Sequence, residues 1–234
     1  MMKQACVIKT RPVLLSNLRN MDGIIRTKLL VTLLSGLLFG GCTGRSGQEK
    51  VNIYPIPQKL ELSGDWIKIP KTGYRLEGIN LPDTDAVSLL KQSFLITEQA
   101  KQTITIRQLE KAESEMQRSG AYTLNVTEKG IRIGICDDRS LFYAAQTLSQ
   151  LIKDEKKLPV CTIWDYPDIV FRGVVEGFYG TPWSFENRVE QLRFYGRMKM
   201  NTYIFGPKDD PYHRSPYWRI PYPEDQAKNI RELL

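Results

Sequence analysis

Gly173-Val174-Val175-Glu176-Gly177-Phe178-Tyr179-Gly180 and, 26 residues further on, Gly206-Pro207-Lys208-Asp209-Asp210 decide how this 234-residue chain is read. Each ends a short apolar run: Val170 to Val175, interrupted by Arg172 and Gly173, and Asn201 to Phe205. The first run predicts a parallel strand buried on both faces. Between the two, Ser184 is placed to cap a helix, with Glu186 in its first turn. Phe185, Val189, Leu192, Tyr195 and Met198 then form one helical stripe. Strand, helix, strand is a βαβ unit whose two loops leave at the same end, where parallel α/β folds place their chemistry. A second helix starts at Glu224, and the sequence stops at Leu234 with no further strand. A (β/α)8 barrel takes about 250 residues. Residues 167–234 are therefore expected to be the first part of one, incomplete, with a sheet edge uncovered.

Upstream, the pattern predicts a small α+β domain over residues 51–166, with helices on one face of a sheet. Ile53 to Ile69 reads as a strand region, and Asp83 to Ile96 as a helix with Ala86, Leu89, Leu90, Phe94 and Leu95 at helical spacing. Thr103 to Ile106 is a short alternating strand; residues 108–118, rich in Glu, Lys and Gln, are a solvated helix or a loop. Tyr122, Leu124 and Val126, a turn at Glu128-Lys129-Gly130, then Ile131, Ile133 and Ile135 make a hairpin. Asp138 or Ser140 caps a helix through Lys153, and Pro159 to Pro167 is expected to link the two domains.

Charge is unevenly spread. Eight of the 33 Lys and Arg but only two of the 26 Asp and Glu fall in residues 1–50, leaving 25 positive and 24 negative charges for the rest. The folded part is nearly neutral and offers a nucleic-acid partner no electrostatic support. The basic residues belong instead to a leader over residues 1–42. Arg26 and Lys28 precede an apolar core from Leu29 to Phe39, with Met21 as its natural start. That core of 11 residues is too short to span a bilayer, which takes about 20. Leu38-Phe39-Gly40-Gly41-Cys42 resembles a bacterial lipoprotein signal, in which the Cys42 thiol would be acylated; the bland alternative is a secretory signal with an incidental cysteine. Each buried CH₂ of an acyl chain contributes about 0.8 kcal/mol, so the expectation is an exported protein held on a membrane through Cys42. Residues 43–50 are a polar tether. Cys136 and Cys161 either pair outside the cytoplasm or remain buried thiols. A single histidine, His213, and the lack of metal-ligand spacing rule out a histidine metal site or a catalytic triad.

In the first loop the glycines let the backbone approach a ligand, and Tyr179 offers a hydroxyl beside a flat apolar face, which suits a sugar. A tight turn with a core aromatic would use the same residues. Lys208 projects a cation into the same cleft or pairs with Asp209 or Asp210. That aspartate pair could supply the two carboxylates of a glycosidase. Neighbours on a strand point to opposite faces, however, and the pair could equally be held by Arg214 and Arg219 or cap the turn at Pro211. Tyr212, His213, Tyr217, Trp218 and Tyr222 read as packing for this loop.

These residues carry a resemblance. Phe171 to Leu234, through Gly173 to Trp183, Asn201-Thr202-Tyr203 and Gly206 to His213, resembles the start of the catalytic barrel of glycoside hydrolase family 84. Its members are β-N-acetylglucosaminidases, including the O-GlcNAcases, some under the older label hyaluronidase. Residues 51–166, with Gly130 to Ile133 and Phe142 to Leu148, resemble the non-catalytic α+β domain before these barrels, which family 20 hexosaminidases share. The resemblance implies terminal β-linked N-acetylglucosamine on glycans as substrate and no cofactor. Gly177 through its backbone, Tyr179 and Lys208 would line the sugar subsite. It also implies a retaining, substrate-assisted mechanism: the 2-acetamido oxygen attacks the anomeric carbon to form an oxazoline. One Asp orients the acetamido group, and a second protonates the leaving oxygen and then activates water. The family's Asp pair lies later, in a Phe-Asp-Asp-Ile-like motif near the fourth strand, and Asp209-Asp210 does not match it. The chain alone is expected to be inactive. Two other readings remain: a carbohydrate-binding lipoprotein without catalysis, and a hydrolase using Asp209 and Asp210.

Overall fold

Eight strands and four helices can be placed in the computed structural model, which describes residues 51–234 except 79–84, 111–115, 155, 215 and 234. The expected leader, Cys42 and the tether lie outside the described residues, as do the first two residues of the helix expected from Asp83. The first body comprises β1 (Lys59–Lys68), β2 (Tyr74–Gly78), α1 (Asp85–Ser93), β3 (Gln102–Gln108), β4 (Tyr122–Thr127), β5 (Gly130–Ile135), α2 (Asp138–Leu151) and β6 (Lys157–Asp165). The strands form one mixed sheet in the order β1-β6-β4-β5-β3-β2. β2, β3 and β5 run parallel, and β4 runs antiparallel to both β5 and β6.

The hairpin forms as its alternation predicts. Leu124, Val126, Ile131 and Ile133 are no more than 1% exposed and pack with Leu90, Leu141, Ala144 and Leu148 of α1 and α2. Gly130 closes the turn at φ +143°, and any Cβ there would stand 2.6 Å from the Thr103 carbonyl oxygen. Only glycine fits both demands.

Three sequence expectations need correction here, and one open alternative, that of the cysteines, is decided. The cap of α2 is Asp137 rather than Asp138 or Ser140. Its carboxylate accepts from the Ser140 N–H at 2.9 Å, and the Ser140 Oγ accepts from the Asp137 N–H at 3.1 Å. Residues 157–165 are no linker but β6, an interior strand between β1 and β4. Cys161, Ile163 and Asp165 alternate onto its core face, and Pro159 is tolerated opposite Trp66, where β1 shifts register. Of residues 108–118, of which 111–115 lie outside the described residues, Leu109 and Met116 are not solvated but buried with Ala121 in a small second cluster against Cys136, Trp164 and Tyr166. Cys161 sits in the main core and Cys136 against this second cluster, and both are free thiols, so no disulfide joins them. Burial pushes the Cys161 thiol up to about 12. The edge strand β2 carried no clear alternation signal in the sequence.

The βαβ unit is present. β7 (Gly173–Glu176) and β8 (Thr202–Phe205) pair in parallel from Gly173↔Thr202 to Glu176↔Phe205, with α3 (Phe185–Arg197) between them and α4 (Glu224–Glu232) after them. Ser184 caps α3, accepting from the Asn187 N–H at 3.2 Å. Burial of the strand on both faces does not hold: Val170 is 71%, Val175 59% and Ile204 52% exposed, and only Glu176 of β7 is buried. Two paired strands cannot cover their own faces. Tyr195 alone of the α3 stripe is buried.

Lys199, a buried side chain, is among those that tie the two sheets together. α3 ends in a Schellman turn: the Lys199 N–H reaches the Gly196 oxygen and the Met200 N–H the Tyr195 oxygen. Lys199 takes the left-handed position at φ +57°, where glycine is usual. Its ammonium is buried, donating to Asp165 Oδ2 at 2.7 Å and to the Tyr122 hydroxyl at 2.8 Å. That hydroxyl donates to Asp165 at 2.8 Å, leaving Thr147 to donate to it at 2.6 Å. Arg172 adds bonds to the Lys199 carbonyl and the Tyr143 hydroxyl.

Candidate active site

The parallel strands β7 and β8 end side by side at Glu176 and Phe205, and the two loops that follow are hydrogen-bonded to each other. The Gly206 N–H donates to the Glu176 carbonyl and the Lys208 N–H to the Phe178 carbonyl, each at 3.0 Å. The Gly180 N–H donates to Asp209 Oδ2 at 2.6 Å. Across this seam the Lys208 ammonium lies over the Tyr179 ring, 5.7 Å from its centroid. Tyr179 is 69% exposed at the tip of its loop. Gly177 lies in the same loop, and a Cβ there would come within 3.1 Å of Val175 Cγ1. Tyr179 and Lys208 thus meet on one open surface, rather than Lys208 pairing with the neighbouring aspartates.

Asp209 and Asp210 sit in a turn rather than on a strand, and each is committed to backbone. Asp209 holds the Gly180 amide, while Asp210, 8% exposed, accepts from the Tyr212 and His213 N–H groups at 2.9 and 3.0 Å. The turn-capping alternative therefore describes Asp210, and Arg219 lies over the Trp218 ring instead of on either carboxylate. The loop aromatics pack only in part as expected, since Tyr217 is 45% and Trp218 57% exposed. Tyr212 stacks near Tyr222 and Tyr217 at 5.3 and 5.6 Å, and His213 meets the edge of Phe205 at 6.3 Å. A cavity of about 290 Å³ opens between α3, α4 and this loop, lined by Arg188, Phe205, Asp210, Tyr212 and Tyr222 among others. Gly177, Tyr179 and Lys208 do not line it. Among the described residues no group of three or more His, Cys, Asp or Glu side chains could hold a metal ion.

Sequence reasoning gave Glu176 no role, yet it is the most constrained carboxylate here. It is completely buried and accepts from Arg188 Nε and Nη2 at 2.8 Å each, from the Trp183 N–H at 3.2 Å and from the Tyr203 hydroxyl. Burial alone would raise its pKa; the bonds from Arg188 and Tyr203, the Arg188 charge and the Trp183 amide outweigh that and hold the carboxyl below its ordinary range. Burial and the bond to Glu176 push the Tyr203 hydroxyl up. A carboxylate kept ionised in this way is unsuited to act as a general acid. The available signal was a lone charge closing an apolar strand.

Comparison with known proteins gives a family match for each of the two bodies. Residues 172–234 match the β-N-acetylglucosaminidase family, and residues 50–166, half of the chain, match domain 2 of glycosyl hydrolase family 20. Over 62 residues the chain is 45% identical to the protein O-GlcNAcase of Rattus norvegicus, a stretch that covers 26% of this chain and 7% of the rat protein. The solved structure of CpGH84B superposes with a TM-score of 0.68 at 35% identity, over 79% of this chain and 34% of that one. CpGH84D gives 0.65 at 27% identity, over 79% and 35%. The mixed α/β fold is therefore that of glycoside hydrolases in families 84 and 20. Residues 50–166 thus belong to domain 2 of glycosyl hydrolase family 20, and residues 172–234 are of the family 84 type, similar to part of a β-N-acetylglucosaminidase. The chain spans about a third of each of these solved structures and a small part of the rat protein.

Proposed function

We propose that this chain supplies the first part of a retaining glycosidase that removes terminal β-linked N-acetylglucosamine. The observation that carries the reading is the meeting of Tyr179 and Lys208 across the ends of two parallel strands, with Gly177 in the same loop. A flat ring with a hydroxyl, an ammonium donor and a close backbone suit the faces and rim of a sugar. By the family resemblance the acetamido group of the substrate is the nucleophile, so the protein has to provide one carboxylate to orient it and one to move the proton. Enzymes of this kind stand outside the two-carboxylate rule in its nucleophile role. Asp209 and Asp210 do not serve, because backbone amides already occupy them. Residues 1–234 alone are accordingly inactive. In this reading residues 51–166 are the non-catalytic domain, residues 167–234 open a (β/α)8 barrel, and an acylated Cys42 anchors the exported protein to a membrane.

The test has two arms. Purified chain is titrated with N-acetylglucosamine while amide resonances are followed, and it is assayed with an aryl β-N-acetylglucosaminide. The expected result is shifts confined to Gly177, Tyr179, Lys208 and their neighbours, lost in Lys208→Ala, with no turnover. Turnover abolished by Asp209→Asn or Asp210→Asn would overturn the assignment of those two residues. Sugar-induced shifts confined to the six-stranded sheet would favour a carbohydrate-binding role for residues 51–166 instead.

A further inference from the structure

Glu176 has no chemical part in the reaction proposed above, yet three separate elements converge on its carboxylate. Arg188 of α3 grips both oxygens, the Tyr203 hydroxyl of β8 reaches Oε2, and the Trp183 N–H reaches Oε1. Trp183 stands at the far end of the loop that begins at Gly177. The chain therefore leaves Glu176, passes through Tyr179 at the exposed tip and returns to the carboxylate of the residue it left. The Phe178 and Trp183 rings meet inside this loop at 5.3 Å. Its backbone start is pinned as well, because the Glu176 carbonyl accepts from Gly206 of the neighbouring loop. A buried ion pair is weak evidence for stability as such, since apolar residues of similar shape often do as well. What an apolar side chain could not do is accept the Trp183 amide and hold the loop closed.

We infer that Glu176 is a positioning residue that closes loop 177–183 on itself and so fixes where Gly177 and Tyr179 stand relative to Lys208. The sugar-facing part of this inference rests on the function proposed above; the loop closure does not.

Amide hydrogen exchange followed by NMR on the 234-residue chain tests it. In Glu176→Gln the Trp183 amide is expected to exchange about tenfold faster, the size of one lost charge-assisted hydrogen bond. The amide shifts of residues 177–183 should move with it, while Leu124 and Ile133 in the central strands keep their wild-type rates. Unchanged exchange at Trp183 overturns the proposal, and so does equal acceleration at Leu124 and Ile133, which would reveal a general packing role. Should Glu176→Gln fail to fold, Tyr203→Phe removes one donor and leaves the Arg188 fork in place. Selective loosening of Trp183 is expected there too, and an unaltered loop overturns the proposal. Titration of the same samples with N-acetylglucosamine separates the two readings. Wild-type shifts at Gly177, Tyr179 and Lys208 that shrink in Glu176→Gln support both. Selective loosening without any sugar-induced shift in the wild type refutes the sugar reading and leaves the closure standing.

Discussion

Lys199 shows how much a single residue can be asked to do. Its left-handed backbone costs about 1–2 kcal/mol for a residue with a Cβ, and glycine would relieve that. Glycine would also strand Asp165 and Tyr122 in a buried pit without the ammonium, and breaking one partner out of a buried pair costs about 3–5 kcal/mol. The second effect wins, so Lys199→Gly is expected to lower stability by about 1–4 kcal/mol in denaturant unfolding. A gain would show that the pair contributes nothing. Glu176 makes a prediction in pH. Its carboxyl is held below the ordinary range, so its contribution is fully present above the unfolded-state value and is lost as pH falls through the folded one. The stability gap between wild type and Glu176→Gln should therefore be flat near neutrality and shrink only under acid conditions. A gap that is the same in acid as at neutrality would contradict the lowered pKa of Glu176.

At the level of elements, α2 and the β4–β5 hairpin are where local chemistry governs most directly. Asp137→Ala removes the cap of α2 together with the acceptor of the Gly120 N–H, and a loss of about 1–2 kcal/mol is expected by chemical denaturation. Asp137→Asn should recover most of it. Gly130→Ala has no such remedy, because the Thr103 carbonyl stands where the methyl would go. It should cost more than the cap does, at least about 2 kcal/mol, and an effect below that would mean β3 can move aside. β6 is the contrasting case. Pro159 within it, Pro167 just after it and its modest alternation read as a linker, and it became an interior strand because β1 and β4 both lie within reach of its ladder.

For the molecule as a whole, the contrast between its two sheets has a measurable consequence. The six-stranded sheet buries a continuous core under α1 and α2, whereas the β7–β8 pair leaves Val175 and Ile204, direct neighbours in register, more than half exposed. With Ile169, Val170 and Phe171 also exposed, this makes an apolar surface of the kind that binds dyes or other chains. The chain is expected to bind an apolar fluorescent dye and to associate with itself as its concentration rises. Val175→Lys combined with Ile204→Lys should reduce both in light scattering without lowering the unfolding temperature. An unaltered response would place the sticky surface elsewhere.

Periodicity and capping chemistry are local, and the sequence alone was enough to set the hairpin, helices α2 and α3, the Ser184 cap and the parallel βαβ unit with its two loops. It also sufficed to bring Gly177, Tyr179 and Lys208 to one end of that unit, because strand direction decides which end a loop leaves from. Tertiary structure decided the rest. It turned 157–165 into a strand, split Asp209 and Asp210 between two backbone tasks, kept Cys136 and Cys161 apart, and chose Glu176 and Lys199 as the buried charges that hold the parts in register. Those outcomes depend on which groups from distant segments arrive at the same place, and on the cost of burying a charge unless they do.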